Sequence, residues 1–195
     1  MKYTWYNYPK KIDEELVDQI VQDCLKQKLK KGRITMHYSP EEGRQLGENA
    51  NVRRAKITFI DRYKHPEIYQ RMWDIAVDAN LNAYNFDIST LEILQFTLYE
   101  SKDSGKYDWH QDSHWDVNSL CDRKLSIVVQ LSNPSDYEGG EFELFNSEFT
   151  GQDKIDLKQK GTVITFPSFI KHRVKPVTKG ERMSLVGWLT GPKFR

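Results

Sequence analysis

Hydrophobic residues in the first half of the chain recur at helical spacing in two segments. The apolar stripe of residues 12–30 comprises Ile12, Leu16, Ile20, Cys24 and Leu25. The stripe of residues 66–83 comprises Ile68, Met72, Ile75, Ala76 and Ala79, and it follows Pro66, a residue that the first helical turn tolerates. Because residues three and four apart share one side of an α-helix, both segments are predicted to be core-facing helices, the first ending before Gly32.

Between these helices, residues 32–54 carry glycine, proline, asparagine and charged residues without a clear period. We therefore expect a long loop that leads into a strand at RRAKITFID, which begins at Arg53. Loops of this length inside a compact domain often act as lids. Closure of this loop over a substrate is one hypothesis, and a disordered loop is the alternative.

From residue 90 onward, alternation of apolar and polar residues replaces the helical period. The predicted strands are TLEILQFTLY, KLSIVVQLS, GEFELFN, GTVITFP, HRVKPV and RMSLVGWLT, and glycine or proline pairs separate them. Helices followed by a run of strands predict an α+β, mainly β fold, namely a double-stranded β-helix (jelly roll) with N-terminal helices packed on one sheet. We expect a single domain over residues 1–195, with helices, loop and first strands in 1–88 and the jelly-roll core in 89–192.

Charge and cysteine content exclude several classes of protein. The chain has 195 residues, with 29 basic and 28 acidic side chains, so no positive excess indicates a nucleic-acid partner. No apolar run is long enough for a membrane span, and the first residues lack the apolar core of a signal peptide, so we expect a cytoplasmic protein without a membrane partner. Cys24 and Cys121 are expected to be free thiols.

The stretch YDWHQDSHWD contains His-x-Asp twice, as His110 with Asp112 and as His114 with Asp116. Residues two apart on a strand point to the same side, so either pair can chelate one metal ion. A solvated surface turn explains such a pair equally well. The residues of this stretch alone do not decide between the two pairs.

A third metal ligand and a cation follow later in the chain. His172 begins the predicted strand HRVKPV, and two imidazoles with one carboxylate are the ligand set of non-haem Fe(II) oxygenases. Arg182 follows ten residues later among apolar positions, where a buried guanidinium needs an anionic partner. A 2-oxo dicarboxylate would supply that anion, whereas an acidic side chain on a neighbouring strand is the simpler alternative.

Four linked segments between residues 92 and 190 resemble the iron- and 2-oxoglutarate-dependent oxygenases, specifically the prolyl 4-hydroxylase-like branch with the PKHD-type hydroxylases. The segments are QFTLYESKDSGKYDWHQD, LSNPSDYEGGEFELF, GTVITFPSFIKHRVKPVTKGER and SLVGW. In that family a tyrosine, then Gly-x-Tyr, then His-x-Asp form one unit, and Tyr99, Gly105 and Tyr107 fall into this register with His110. The resemblance therefore implies Fe(II) at His110, Asp112 and His172, and places His114 and Asp116 at the rim of the site.

The resemblance also implies the co-substrates and the reaction. Arg182 is expected to bind the distal carboxylate of 2-oxoglutarate, and Tyr99 to donate its hydroxyl to the same molecule. At the position of Gln130, some relatives carry a tyrosine that contacts this carboxylate. Gln130 therefore departs from the family pattern, and it is a candidate contact of 2-oxoglutarate. The implied reaction uses O2, converts 2-oxoglutarate to succinate and CO2, and hydroxylates an unactivated C–H bond, with ascorbate as a candidate additional cofactor.

The expected substrate is a prolyl residue of a protein or peptide. The alternatives are the same chemistry on a free amino acid or another small molecule, and a cupin-like protein that binds zinc or manganese without oxygenase activity. A jelly-roll interaction protein with an inert site is a further alternative. Ser184 and Trp188 share the side of the strand that carries Arg182 and are further candidates to line the pocket. The sequence does not indicate the oligomeric state.

Overall fold

The computed structural model describes residues 3–39, 41–116 and 118–194. The helices are α1 (Glu14–Leu25), α2 (Pro66–Ala79), which continues directly into a π-helical turn (Asn80–Tyr84), and α3 (Gly151–Asp156). The strands are β1 (Tyr6–Tyr8), β2 (Lys30–Lys31), β3 (Ile34–Ser39), β4 (Gly43–Gly47), β5 (Arg53–Arg54), β6 (Lys56–Phe59), β7 (Thr90–Leu91), β8 (Gln95–Glu100), β9 (Lys106–His110), β10 (Cys121–Gln130), β11 (Tyr137–Gly139), β12 (Phe142–Leu144), β13 (Val163–Pro167), β14 (His172–Val174) and β15 (Val177–Pro192). Within these ranges, no helix combines the length and the apolar character needed to cross a bilayer.

Two antiparallel sheets face each other, as predicted for a jelly roll. The major sheet has the order β1-β13-β10-β15-β8-β6-β2, with β7 and β11 paired to β15, and the minor sheet has the order β12-β14-β9-β5. Side chains such as Tyr99, Val128 and Phe166 from the major sheet pack against Val174 and Leu144 from the minor sheet. The predicted site residues belong to these two sheets and to the turn that follows β9.

Alternation along the major sheet separates a helix-facing side from a side that faces the minor sheet. Ile127 and Val129 of β10 are buried in the large core that also includes Ile20 of α1 and Met72 of α2. The intervening Val128 packs instead with side chains of the minor sheet. The helices therefore stabilise one face of the sheet and leave the opposite face to form the site.

The predicted helices are confirmed, with one change of boundary. All five apolar positions assigned to the second stripe are buried on α2. The first helix ends at Leu25, earlier than the predicted end near residue 30, and Leu25 itself is 46% exposed. The residues that follow it, Lys26, Gln27 and Lys28, are exposed and polar, so continuing the helix would bury no further apolar surface.

The prediction of an unstructured loop over residues 32–54 is wrong. Strands β3 and β4 form an antiparallel hairpin in this segment, and they pair only with each other in the described part of the chain. Pro40, next to its turn, lies outside the described residues. The sequence ITMHYS does alternate in hydrophobicity, but charged residues on both sides obscure this short period.

Candidate metal centre and co-substrate pocket

The first His-x-Asp pair and His172 meet at the minor sheet. His110 ends β9 and His172 begins β14, and the two residues are direct cross-strand partners with ring centroids 4.1 Å apart. Asp112 lies two residues beyond β9 and completes a group whose ligand atoms all fall within 4.8 Å of one another. The three side chains predicted to bind metal are thus brought together as one cluster.

Backbone carbonyls fix the orientation of both imidazoles. Nδ1 of His110 lies 2.8 Å from the carbonyl oxygen of Asp108, and Nδ1 of His172 lies 3.1 Å from that of Ile170. Because a carbonyl oxygen can only accept, each Nδ1 must carry the hydrogen. Each Nε2 is therefore left with a free lone pair, and both Nε2 atoms lie within 4 Å of the Asp112 carboxylate, at 3.8 and 3.6 Å.

Two serines hold the carboxylate in place. The hydroxyl of Ser126 on β10 donates to Oδ2 of Asp112 at 2.6 Å, and it lies 2.9 Å from the hydroxyl of Ser168. Since the Ser126 proton is used on the carboxylate, Ser168 must donate to Ser126. The amide of Asp112 also donates to the carbonyl of Ser168 at 2.8 Å, so the main chain and the side chain are both anchored to the turn after β13.

The protonation states suit a divalent cation. Burial and the neighbouring His172 lower the pKa of His110 to about 3. Burial alone would raise the pKa of Asp112, but the two imidazoles and the Ser126 hydroxyl together lower it to about 2. At neutral pH the cluster therefore offers a neutral imidazole at His110 and a carboxylate, the ionisation states that metal binding requires.

A cavity of about 340 Å³ extends from this cluster between the two sheets. Arg182 of β15 and Tyr99 of β8 are cross-strand partners that line it, with the Arg182 guanidinium carbon 5.7 Å from the centre of the tyrosine ring. Arg182 is only 4% exposed, and its Nη1 has no hydrogen-bond partner among the described residues. An acidic side chain, the alternative partner considered from the sequence, forms no ion pair with Arg182 in that part of the chain.

Gln130 is buried at the end of β10, opposite Ser184 of β15. Its Nε2 donates to the hydroxyl of Tyr137 at 3.1 Å and to the carbonyl of Ser132 at 3.2 Å, while its Oε1 is buried and has no partner among the described residues. Ser184 lines the cavity, whereas Gln130 is not among the described residues that line it. A contact between Gln130 and 2-oxoglutarate stays a prediction.

The second His-x-Asp pair lies away from the metal cluster. His114 lines the cavity, and its Nε2 lies 3.4 Å from Nη1 of Arg123. Trp115 is exposed and has a left-handed backbone conformation with φ of 51°. Trp109, which precedes His110 on β9, is 37% exposed and packs against Phe145. The structure thus separates the two pairs in the way that the register with Tyr99 and Tyr107 implied.

Sequence reasoning missed several arginines and their partners around the cavity. Arg123 forms a two-point ion pair with Glu92, with distances of 2.9 and 2.6 Å, and its guanidinium carbon lies 3.9 Å from the centre of the Trp188 ring. Arg53 of β5 stacks on Tyr107 of β9 at 4.5 Å. No local pattern marks these residues, because strand pairing between distant segments brings them to the cavity.

Comparison with known proteins decides the family. The model of the 2OG-Fe(II) oxygenase superfamily matches residues 94–190, which include the metal cluster, Arg182 and Tyr99. The chain belongs to the 2OG-Fe(II) oxygenase superfamily. The matched region begins just before β8 and ends within β15, whereas Arg33, Arg53 and the hairpin residues that line the cavity precede it.

Curated relatives of the chain include PKHD-type hydroxylases. That of Psychrobacter sp. (strain PRwf-1) is 32% identical over 127 residues, covering 62% of this chain and 48% of the relative. That of Gloeothece citriformis (strain PCC 7424) is 36% identical over 130 residues, covering 65% of this chain and 57% of the relative. The chain thus spans about half the length of the curated relatives it matches.

Solved structures share the fold over nearly the whole oxygenase. A Pseudomonas putida prolyl-4-hydroxylase superposes with a TM-score of 0.69 at 19% identity, covering 98% of this chain and 94% of the other. A prolyl hydroxylase from Trichoplax adhaerens, solved with a hypoxia-inducible-factor peptide fragment, gives 0.71 at 16% identity and covers 95% of this chain and 83% of its own. These likenesses confirm the jelly-roll fold.

The residues present fit the iron and the 2-oxoglutarate that the superfamily implies. Two imidazoles and one carboxylate are the donor set that non-haem Fe(II) prefers, and His110, Asp112 and His172 would hold the ion together. The buried Nη1 of Arg182 lies in the wall of the same cavity and lacks an anionic partner among the described residues. A small dicarboxylate bridging metal and guanidinium would satisfy both.

Proposed function

We propose that the protein is an Fe(II)- and 2-oxoglutarate-dependent hydroxylase that acts on a prolyl residue of a protein or peptide. The observation that carries the proposal is the buried Nη1 of Arg182, which has no hydrogen-bond partner among the described residues and lies in the cavity beside the His110, Asp112 and His172 cluster. A metal-binding protein without oxygenase activity would use the cluster, but it would not need a buried arginine such as Arg182 in the same cavity. Leaving such a group unpaired is costly.

In this proposal His110 and His172 hold iron through Nε2, and Asp112 holds it through its carboxylate. When bound, iron and 2-oxoglutarate supply the oxidising power for C–H hydroxylation, with 2-oxoglutarate converted to succinate and CO2. The protein's task is to orient these groups and to exclude water. The hydrogen bonds from Ser126 and to the carbonyls of Asp108 and Ile170 keep the three ligands aimed at one point.

Arg182 is proposed to bind the distal carboxylate of 2-oxoglutarate through two parallel hydrogen bonds, the geometry that a guanidinium fork provides. Tyr99 is buried against β15 and the minor sheet, and its burial raises the pKa of its hydroxyl, so it stays protonated and can donate. Both groups lie on the major sheet, opposite the metal ligands on the minor sheet. This arrangement directs the co-substrate across the cavity from sheet to sheet.

The prolyl assignment rests on the PKHD-type relatives and on the prolyl hydroxylases that share the fold. One neighbour of this fold was solved in complex with a peptide fragment. The cavity of the present protein opens beside the β3–β4 hairpin, since Ile34, Thr35 and Leu46 contribute to its lining. We propose that a substrate segment enters between this hairpin and the metal cluster.

The proposal is tested by adding Fe(II) and then 2-oxoglutarate to the metal-free protein under anaerobic conditions. A visible charge-transfer band is expected only when both are present. Admission of O2 with proline-containing peptides should then yield succinate and a peptide heavier by one oxygen atom. Absence of the band in the wild-type protein would contradict the proposal, and succinate without a modified peptide would contradict the prolyl assignment alone.

The variant Arg182→Gln separates this function from simple metal binding. Removing a bidentate, charge-assisted contact should weaken 2-oxoglutarate binding by about 100-fold. Iron affinity should change little, because Arg182 does not touch the ligand atoms. Ser135→Ala, at an exposed turn, is the control. Unchanged affinity for 2-oxoglutarate in Arg182→Gln would favour a cupin-like metal-binding protein.

A further inference from the structure

The cavity carries more positive charge than its proposed co-substrate needs. Its lining includes four guanidinium groups, those of Arg33, Arg53, Arg123 and Arg182, against the carboxylates of Glu92 and Asp112. Arg123 is paired with Glu92, and Arg182 and Asp112 are assigned to 2-oxoglutarate and metal. The proposed function therefore assigns no anionic partner to Arg33 or to Arg53.

Neither remaining arginine has an acidic neighbour. Within the described ranges, no carboxylate lies within 4 Å of Arg33 or Arg53, and the nearby Glu48 is paired with Lys31 at 3.2 Å. Nη2 of Arg33 donates to the carbonyl of Leu46 at 2.6 Å, and Nη1 of Arg53 donates to the carbonyl of Arg33 at 3.1 Å. These contacts to neutral carbonyls orient both guanidinium groups and neutralise neither.

Arg53 is held in a defined position. The guanidinium carbon of Arg53 lies 4.5 Å from the centre of the Tyr107 ring. Gly32, the residue after β2, lies against the Arg53 side chain. A methyl group on Gly32 would come within 2.6 Å of Nε of Arg53, so the space for this side chain depends on the glycine. Nε of Arg53 is buried and has no hydrogen-bond partner in the described part of the chain. The guanidinium is thus held in one orientation but still has an unused hydrogen-bond donor.

This cation lies one aromatic ring from the metal site. Tyr107 stacks on the imidazole of His110 with ring centroids 3.4 Å apart and an interplanar angle of 11°. A ring in such close contact with His110 on one face leaves its other face for Arg53. An anion bound by Arg53 would therefore lie in the same cavity as the metal cluster, with the Tyr107 ring between Arg53 and His110.

We propose that the substrate carries a carboxylate on or beside the residue that is hydroxylated, and that Arg53, assisted by Arg33, binds it. Ile34, Leu46 and Phe59 line the same end of the cavity and supply apolar contacts for the rest of the substrate. The carboxylate belongs either to an acidic side chain neighbouring the target residue of a peptide or to a free amino acid. This inference rests on the proposed function and narrows its substrate class.

The test measures binding, with zinc in place of iron and N-oxalylglycine in place of 2-oxoglutarate so that no turnover occurs. The peptide probes are short N-acetylated, C-amidated peptides with a central proline flanked by glutamate, each compared with its glutamine counterpart. Free proline against prolinamide forms the second arm. Titrations are monitored by calorimetry at low ionic strength, where screening of charges is weak.

We expect wild-type protein to prefer the carboxylate member of one pair by about tenfold, the effect of one charge-assisted hydrogen-bonded contact. Arg53→Gln should remove that preference while zinc and N-oxalylglycine still bind. Gly32→Ala, which pushes the Arg53 side chain from its position, should reduce the preference without changing any charge. Lys28→Gln removes the same charge at an exposed position far from the cavity and should leave the preference intact.

Preference in the glutamate pair assigns the carboxylate to a peptide side chain, and preference in the proline pair assigns it to a free amino acid. Equal affinity for both members of every pair would overturn the inference, as would a preference that persists in Arg53→Gln. Zinc and N-oxalylglycine binding is measured first, and the probe titrations are repeated without them. A protein that fails to bind metal and analogue would contradict the proposed function, and the charge preference is still scored separately.

Discussion

The hydroxyl of Ser126 lies 2.6 Å from Oδ2 of Asp112. This hydrogen bond joins β10 of the major sheet to a candidate metal ligand in the turn that follows β9 of the minor sheet. Ser126 and Asp112 are both buried, and the hydrogen bond is one of the reasons that the pKa of Asp112 lies near 2. Because of this hydrogen bond, the orientation of the Asp112 carboxylate depends on how the two sheets pack together.

Substitution of Ser126 by alanine removes this support without adding bulk. We expect metal affinity to fall by about 10- to 100-fold, the usual effect of deleting a hydrogen bond that orients a metal ligand. Competition with a coloured chelator measures the affinity for zinc or iron. Ser135→Ala is the matched control at an exposed position. Equal metal affinities in Ser126→Ala and wild type would show that the main-chain anchor to Ser168 positions Asp112 alone.

The Phe166 side chain stabilises the fold and also packs against the ring of His172. Its ring is fully buried on β13, with its centroid 4.6 Å from the His172 ring and 5.5 Å from the Phe142 ring. Phe166→Ala should lower the free energy of unfolding by about 3–5 kcal/mol, because it opens a cavity between the sheets. For a domain of this size the thermal midpoint of the metal-free protein should fall by about 10 °C.

Calorimetry or circular dichroism of the metal-free protein measures this change. Phe145→Ala is the control, since that ring is 53% exposed and its loss should cost less than about 1 kcal/mol. If both variants unfolded at the same temperature, the packing of Phe166 against His172 would not contribute to stability as argued.

The candidate metal ligands have a local signal, but His114 and Asp116 share it, and only the register with Tyr99 and Tyr107 favoured His110 and Asp112. His110 and Asp112 are two apart at the end of a strand, and His172 begins another strand with a clear alternating pattern. Arg182 was conspicuous because a cation among apolar residues demands an explanation. Fold class followed from the change of period along the chain, which depends on burial of one face of each element.

Other parts of the site have no local signal. Ser126 and Ser168 are ordinary serines in the sequence, and only the pairing of β10 with β13 brings them to Asp112. Arg53 reaches the cavity through the pairing of β5 with β9, which no spacing in the sequence encodes. The short helix α3 did have a signal, since Thr150 and Asp153 form a capping box at its first turn.

The β3–β4 hairpin is expected to become more rigid when substrate binds. It pairs with no other strand in the described ranges, yet Arg33, Ile34, Thr35 and Leu46 from it and its flank line the cavity. Hydrogen exchange of its amides should slow by about tenfold when metal, N-oxalylglycine and a proline-containing peptide are all present, because contacts across the cavity oppose local opening. Amides of α2, which is packed in the main core, provide the internal control. Equal exchange rates with and without the peptide would contradict a role for this hairpin as a lid.

The two cysteines should differ sharply in reactivity. Both are free thiols, but Cys24 is buried on α1, where burial raises the pKa of its thiol to about 12, whereas Cys121 is exposed at the start of β10. Because the thiolate is the reactive species, a chromogenic disulfide reagent at pH 8 should modify Cys121 within minutes and leave Cys24 protected until the protein unfolds. Denaturant should then release the second thiol, and Cys121→Ser should show no rapid reaction in the native state. Rapid modification of both thiols in the native protein would mean that α1 opens readily from the major sheet.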